Sequence, residues 1–187
     1  MRITVIGRGR VGGSLARRWR AAGHTVTELG RDGGDAAGAE VLLVAIPGDS
    51  IADGLSRVQG LGGQVTIDAT NKFGERPAGF DSVAKQVQSF TGGPTAKAFN
   101  TNFAVLYDKV DAEPVPPETM FAADPEARDI TEQLIRDAGF DPIHLGDLGQ
   151  APLLEGLIAL TRILENGDLG PFFYRFNRAG ELTVDGT

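Results

Sequence analysis

Residues 2–12 read RITVIGRGRVG, and this stretch decides the fold. Arg2–Ile6 is a short β-branched run of the length and composition of a buried strand. It ends at Gly7, and Gly7-Arg8-Gly9-Arg10-Val11-Gly12 matches G-x-G-x-x-G. The match follows a predicted strand and opens a predicted helix, which is the context this motif needs. Gly7 permits the tight turn, Gly9 lets a pyrophosphate approach the backbone, and Gly12 lets helix and strand pack closely. The helix N-terminus adds free N–H groups and a positive dipole end. The segment therefore predicts a dinucleotide site at the first strand-to-helix turn.

The second strand, His24–Leu29, is expected to say which dinucleotide. NAD sites place an Asp or Glu on the ribose 2′-hydroxyl about 20 residues after the glycines. Here that position is Gly30, and Arg31 follows. Glycine removes the repulsion an acid would exert on a 2′-phosphate, and arginine can hold the phosphate bidentately. The reading is NADP(H) rather than NAD. Asp32 qualifies it, because a slip of two residues would put an acid near the ribose. Arg8 and Arg10 either add to the phosphate clamp or point to solvent.

Strand-like and helix-like segments alternate along the rest of the chain. The helix opened by Gly12 carries Leu15, Trp19 and Ala22 on one face and stops at Gly23. Glu40–Ile46 is a continuous apolar run, as in a parallel strand covered on both faces. Asp49 or Ser50 caps a short helix reaching Val58. Gln64–Thr70, Thr95–Phe99, Glu118–Asp124 and Asp141–Leu145 read as further strands. Asp124-Pro125 starts a helix that buries Ile130, Leu134 and Ile135 and ends at Gly139. Residues 151–165 form a strongly apolar helix. The glycine-rich stretch 33–38 and the proline-rich stretch 114–117 read as surface loops.

This pattern predicts one α/β domain over residues 1–187, with a doubly wound, mainly parallel sheet, helices on both faces and a helical extension from about residue 150. Ligands of such sheets lie beyond the C-terminal strand ends. Ala45-Ile46-Pro47 offers a smooth wall there. Asn71, Asn100 and Thr101 start loops at the same edge; they either orient a ligand or satisfy loop backbone.

The 187 residues are 41% hydrophobic and 23% charged, with a net charge of −7 and no cysteine. Disulfides, thiolate chemistry and cysteine zinc sites are thereby excluded. His24 and His144 are far apart and form no metal spacing, and no metal is expected. Residues 1–31 hold seven arginines (2, 8, 10, 17, 18, 20 and 31) against one acid, Glu28. A basic start on an acidic chain fits one locally held anion better than a nucleic-acid surface. Arg17, Arg18 and Arg20 read as the solvent face of the first helix. Met1 and Arg2 lead directly into a strand, and nothing approaches the ~20 apolar residues of a membrane span. The expectation is a cytoplasmic protein without membrane or nucleic-acid partners.

The segments GRGRVGGSLARRWRAAGHTV, GRD, VAIP, IDATN, KAFNT and DAGFDPIHLGDL followed by LLE occur in the order seen in F420-dependent NADP oxidoreductases. That family includes the NADPH-binding part of membrane metalloreductases. The resemblance covers about residues 1–165. It implies a Rossmann-like fold and hydride transfer between NADP(H) and the deazaflavin F420. It would place Gly7, Arg8, Gly9, Arg10, Val11, Gly12, Gly30 and Arg31 on the phosphates of NADP, and Ala45, Ile46 and Pro47 near the nicotinamide. Asn71, Phe99, Asn100 and Thr101 would border the second cofactor. The chain departs from the pattern at Gly30, usually serine, at Lys72, usually proline, and at Arg8 and Arg10, often smaller polar residues.

Hydride transfer between stacked rings needs proximity and orientation more than acid–base groups, so no catalytic side chain is assigned. Neither histidine has a hydrolase setting: His24 reads as a turn residue and His144 as structural. Reduction of a flavin or small imine, and a non-catalytic NADPH-binding or sensing module, remain alternatives. The apolar helix 151–165 either packs on the sheet or pairs subunits in a homodimer.

Overall fold

A computed structural model describes residues 1–180. Seven strands form one sheet: β1 (Arg2–Ile6), β2 (Thr25–Leu29), β4 (Val41–Val44), β6 (Val65–Asp68), β7 (Thr95–Lys97), β8 (Glu118–Ala123) and β9 (Asp141–His144). Two short strands, β3 (Gly34–Asp35) and β5 (Val58–Gln59), pair in parallel with each other beside it. The large sheet runs in the order β2-β1-β4-β6-β7-β8-β9. It is parallel except where β8 lies antiparallel to β7. The helices are α1 (Arg10–Ala21), α2 (Ile51–Ser56), α3 (Val83–Thr91), α4 (Pro125–Asp137) and α5 (Ala151–Asn166).

The central strands are buried on both faces, which is why their sequences are continuously apolar. Side chains alternate with period two. Ile3, Val5, Val41 and Leu43 face α1 and α4, joining Leu15, Trp19, Leu134 and Ile135 in the main core. Ile6, Leu42 and Val44 face α2 and α3, joining Ile51, Leu55, Val83 and Val87. Trp19 ties α1 to α4 by donating from Nε1 to the Leu134 carbonyl at 2.8 Å. The chain leaves β1 toward β2, then crosses back to β4 on the other side of β1. Their C-terminal ends therefore diverge and open a crevice.

Several expectations change. α1 begins at Arg10, and Ala22 is its exposed C-cap rather than part of the buried face; Gly23, at φ 91°, ends it as expected. Arg18 is not on the solvent face: it donates to the Tyr107 carbonyl at 3.1 Å and pairs with Asp111 at 2.5 Å. Ile130 is only partly buried. The stretch 33–38 is not plain loop, because Gly34 and Asp35 pair with Val58 and Gln59. α3 was not expected at all. Ser82 caps it by accepting from the Lys85 N–H at 3.1 Å, and Gly92, at φ 68°, ends it. His24 is more than a turn residue: Nε2 lies 2.9 Å from Asp137 and Nδ1 3.2 Å from the terminal ammonium of Met1.

The extension is one helix followed by a non-helical tail, and residues 181–187 of the expected extension lie outside the described residues. α5 buries Ala151, Leu154 and Thr161 and leaves Leu153, Leu160 and Ile163 exposed. Among the described residues no helix is long and apolar enough to cross a membrane.

Candidate functional site

A cavity of about 780 Å³ opens at the crevice between the C-terminal ends of β1 and β4. Gly7, Arg8 and Gly9 form its floor, Gly30, Arg31 and Asp32 one wall, and Ala45, Ile46 and Pro47 the opposite wall. The glycines act as their spacing predicts. Gly7 has φ 103°, a left-handed conformation that disfavours any side chain, and a Cβ there would lie 2.4 Å from the Ala45 carbonyl oxygen. A Cβ on Gly12 would lie 1.9 Å from the Gly7 carbonyl oxygen. Gly9 faces open space, with no atom within 4 Å of where its Cβ would be. Gly9 is also the N-cap of α1 and supplies no side-chain hydrogen bond. The first N–H groups of a 12-residue helix therefore point, uncapped by any side chain, at the open side of the turn. A cradle with this shape and polarity fits a pyrophosphate.

Beyond β2 the chain turns tightly, with Gly33 N–H donating to the Gly30 carbonyl at 3.2 Å. Arg31 and Asp32 sit at the corners of this turn, exposed toward the cavity. Arg57, at the end of α2, holds the turn in place. Its Nη1 donates to the Arg31 carbonyl at 3.1 Å, and its carbonyl accepts from Gly34 N–H at 3.3 Å. Arg57 is itself fixed by Asp53 at 2.5 Å. Glu28, on β2 just before this turn, is paired with Arg20 at 2.7 Å, while Asp32 lines the cavity. The side chains of Arg8 and Arg31 have no hydrogen bond or ion pair with any described residue.

The other predicted residues lie elsewhere. Arg10, Val11 and Gly12 start α1 behind the cavity floor and do not line it. Asn71, Phe99, Asn100 and Thr101 also lie outside it, farther along the same sheet edge. Phe99 is fully buried, with its ring edge-on to Trp19 at 6.1 Å and to Phe140 at 6.3 Å. Its φ of 63° is the one left-handed value at a non-glycine among the described residues. Such a conformation costs on the order of 1–3 kcal/mol and is held by the packed ring. Asn71 Nδ2 donates to the Asn100 carbonyl at 2.8 Å, and Asn100 Nδ2 donates to the Leu154 carbonyl at 2.9 Å. These amides join the loops after β6 and β7 to α5. Thr101 shares a hydrogen bond of 2.8 Å with the Tyr174 phenol, which also accepts from Met120 N–H at 3.2 Å. Burial pushes the Tyr174 phenol up from its ordinary value.

Sequence reasoning missed Lys97 and Arg57. Lys97 is fully buried, with Nζ 2.8 Å from Asp68, 2.6 Å from the Thr70 carbonyl and 3.5 Å from Glu155. Glu155 also accepts from the Val83 and Ala84 N–H groups at the start of α3. The available signal for Lys97 was a lysine inside an apolar strand sequence, which demands a buried acid. For Arg57 the glycine motif carries no signal, since the contact depends on where α2 ends. Among the described residues no three histidines or carboxylates gather as a metal group would require.

No family model and no curated protein matches this sequence. Solved structures do. A candidate F420-dependent NADP reductase from Arthrobacter sp. FB24 superposes with a TM-score of 0.78 at 24% identity, over 94% of this chain and 99% of that one. A hypothetical protein from Sinorhizobium meliloti gives 0.66 at 29% identity, over 81% and 88%. An imine reductase from Streptomyces aurantiacus gives 0.64 at 19% identity, and there the match spans 87% of this chain but 62% of the other. The shared feature is the fold, and the chain is a Rossmann-type, doubly wound α/β protein.

Proposed function

We propose that this protein is an NADP(H)-dependent oxidoreductase that exchanges a hydride between the nicotinamide and the deazaflavin F420. The observation that carries the first half is the cavity wall at the end of β2. The place where an acid would hold a ribose 2′-hydroxyl is Gly30, and the neighbouring Arg31 guanidinium has no partner among the described residues. In this reading Gly7, Gly9 and the start of α1 hold the pyrophosphate, and Arg31 holds the 2′-phosphate. Ala45-Ile46-Pro47 is the flat wall against which the nicotinamide half lies. When bound, NADPH would supply a hydride, one proton with two electrons, and a further proton from solvent would balance the two-electron reduction of the deazaflavin. The chain contributes binding and alignment, with no proton-transfer group assigned.

The second half, F420, is supported by the fold match over 99% of the length of the Arthrobacter protein, against 62% for the imine reductase. The test is direct. The protein is mixed with NADPH and oxidised F420, and deazaflavin absorbance is followed. Its loss at a rate proportional to protein concentration is expected. Tight NADPH binding without turnover would remove F420 and leave a binding module or another acceptor.

A further inference from the structure

The strand β7 stops short of its neighbour. It pairs with β8 only at Ala96 with Ala123 and at Lys97 with Ala122. Because β8 runs antiparallel to β7, residues 118–121 lie beyond the end of β7, at the ligand edge of the sheet. β9 covers one side of that stretch. Backbone groups alternate sides along a strand, so Glu118 and Met120 turn theirs to the side that β7 leaves open. Both residues are buried, and buried amides need partners.

The chain after α5 supplies them. The Tyr174 carbonyl accepts from Glu118 N–H at 3.0 Å, and the Tyr174 phenol accepts from Met120 N–H at 3.2 Å. The same phenol shares a hydrogen bond of 2.8 Å with Thr101 Oγ1, in the loop after β7. One residue, through its backbone and its side chain, thus takes the place that the next residues of β7 would fill. The segment is fastened on either side of it. The Phe172 ring stands edge-on to Phe103 at 5.1 Å, Arg175 donates to Asp141 at 2.7 Å, and Phe176 N–H donates to the Glu118 carboxylate at 2.6 Å. Asn102 seats the loop on β8 from its own side, donating to the Glu118 carbonyl at 3.1 Å and accepting from the Thr119 hydroxyl at 3.0 Å. The loop 100–103 is therefore gripped between β8 and the tail. None of these residues lines the dinucleotide cavity.

We infer that residues 171–176 are a strap that completes the ligand edge of the sheet. Tyr174 is a positioning residue: it stands in for the missing end of β7 and holds the loop 100–103 where the hydride acceptor is received. The inference rests on the proposed function for the acceptor and adds to it a second, separate unit of the site, one that serves the acceptor and leaves NADPH binding alone.

Tyr174→Phe tests this, because it keeps the ring and removes one oxygen. Amide hydrogen exchange is followed by NMR at Met120 and at Val5, a residue of the sheet centre that reports the whole fold. Exchange at Met120 is expected to quicken about 3- to 10-fold relative to Val5, the range of one lost neutral hydrogen bond. In steady-state kinetics the KM for F420 is expected to rise about 3- to 10-fold, with the KM for NADPH unchanged. A residue that only stabilised the fold would quicken Val5 as much as Met120 and would leave both KM values in place. Unchanged exchange at Met120, equal quickening at Val5, or a KM for F420 that does not move each overturns the inference. If the unmodified protein does not reduce F420, the F420 reading fails and the acceptor role of the strap with it, while the exchange ratio still decides whether Tyr174 completes the sheet. Turnover by the unmodified protein with an unmoved KM in the variant leaves that reading standing and removes only the inference.

Discussion

The C-terminal edge of the sheet has two halves built on opposite rules. At the β1–β2–β4 end, Arg8 and Arg31 face a cavity, and neither guanidinium has a partner among the described residues. At the β6–β7 end, Lys97 is fully buried and meets Asp68, the Thr70 carbonyl and Glu155. Solvent explains part of the difference, since an exposed cation stays hydrated and a buried one must be paired. Geometry explains the rest. The free cations sit where the diverging strands and the uncapped start of α1 already favour an anion. The paired lysine sits where α5 closes over the sheet and leaves no room for one. On the proposed function the first half binds, and the second holds the edge in shape.

The largest test of that division is Lys97→Met. It should remove the cation that Asp68 and Glu155 share and leave the fully buried Asp68 without it. Breaking a buried ion pair from one side costs about 3–5 kcal/mol. Urea unfolding should show a lower midpoint of that size. A loss under about 1 kcal/mol, the scale of an exposed pair, would mean the network is not what holds this half together.

The complementary change is Arg31→Ala. The residue is exposed and its side chain has no hydrogen bond or ion pair among the described residues, so stability should stay within about 0.5 kcal/mol. NADPH binding should weaken by about 1.5–3 kcal/mol, with NADH nearly unaffected. Equal losses for the two nucleotides would show that the 2′-phosphate lies elsewhere along the edge. A large loss of stability would erase the contrast between the halves.

The same contrast marks what the sequence could reveal. The binding half was legible because its features are local. Gly7, Gly9 and Gly12 are constrained by one turn, and Gly30-Arg31 follows the next strand in order. The holding half depends on partners far apart in sequence. Lys97 meets Asp68 and Glu155, and Asn100 meets Leu154, so neither segment alone shows the contact. The family resemblance puts Phe99 beside the second cofactor, but its ring turns into the core between Trp19 and Phe140. The helix α3 was missed although Ser82 and Gly92 bracket it, because Lys85, Gln86 and Gln88 interrupt its apolar positions. Arg57 was missed because a two-strand pairing, β3 with β5, brings it against the Gly30–Gly33 turn.

The smallest expected effect compares two arginines at opposite ends of α1. Arg8 precedes the helix and has no partner among the described residues, whereas Arg18 near its end is fastened to the Tyr107 carbonyl, the Ala138 carbonyl and Asp111. The Arg18 hydrogen bond holds the Asp111 carboxyl below its ordinary value, against a small opposing effect of burial. A folded-state value below the unfolded one, which is about 3.9, stabilises the fold fully at higher pH. That contribution is lost as the pH falls through the lowered folded value. Asp111 is 77% exposed, so solvent screening keeps the pair weak. Asp111→Asn should therefore cost less than about 1 kcal/mol at neutral pH. The gap between variant and unmodified protein should close in acid, once Asp111 is protonated in both states. Urea midpoints at pH 7 and in acid measure it. A gap that persists unchanged in acid would mean that Asp111 acts through packing, and that Arg18 is fastened by the two carbonyls alone.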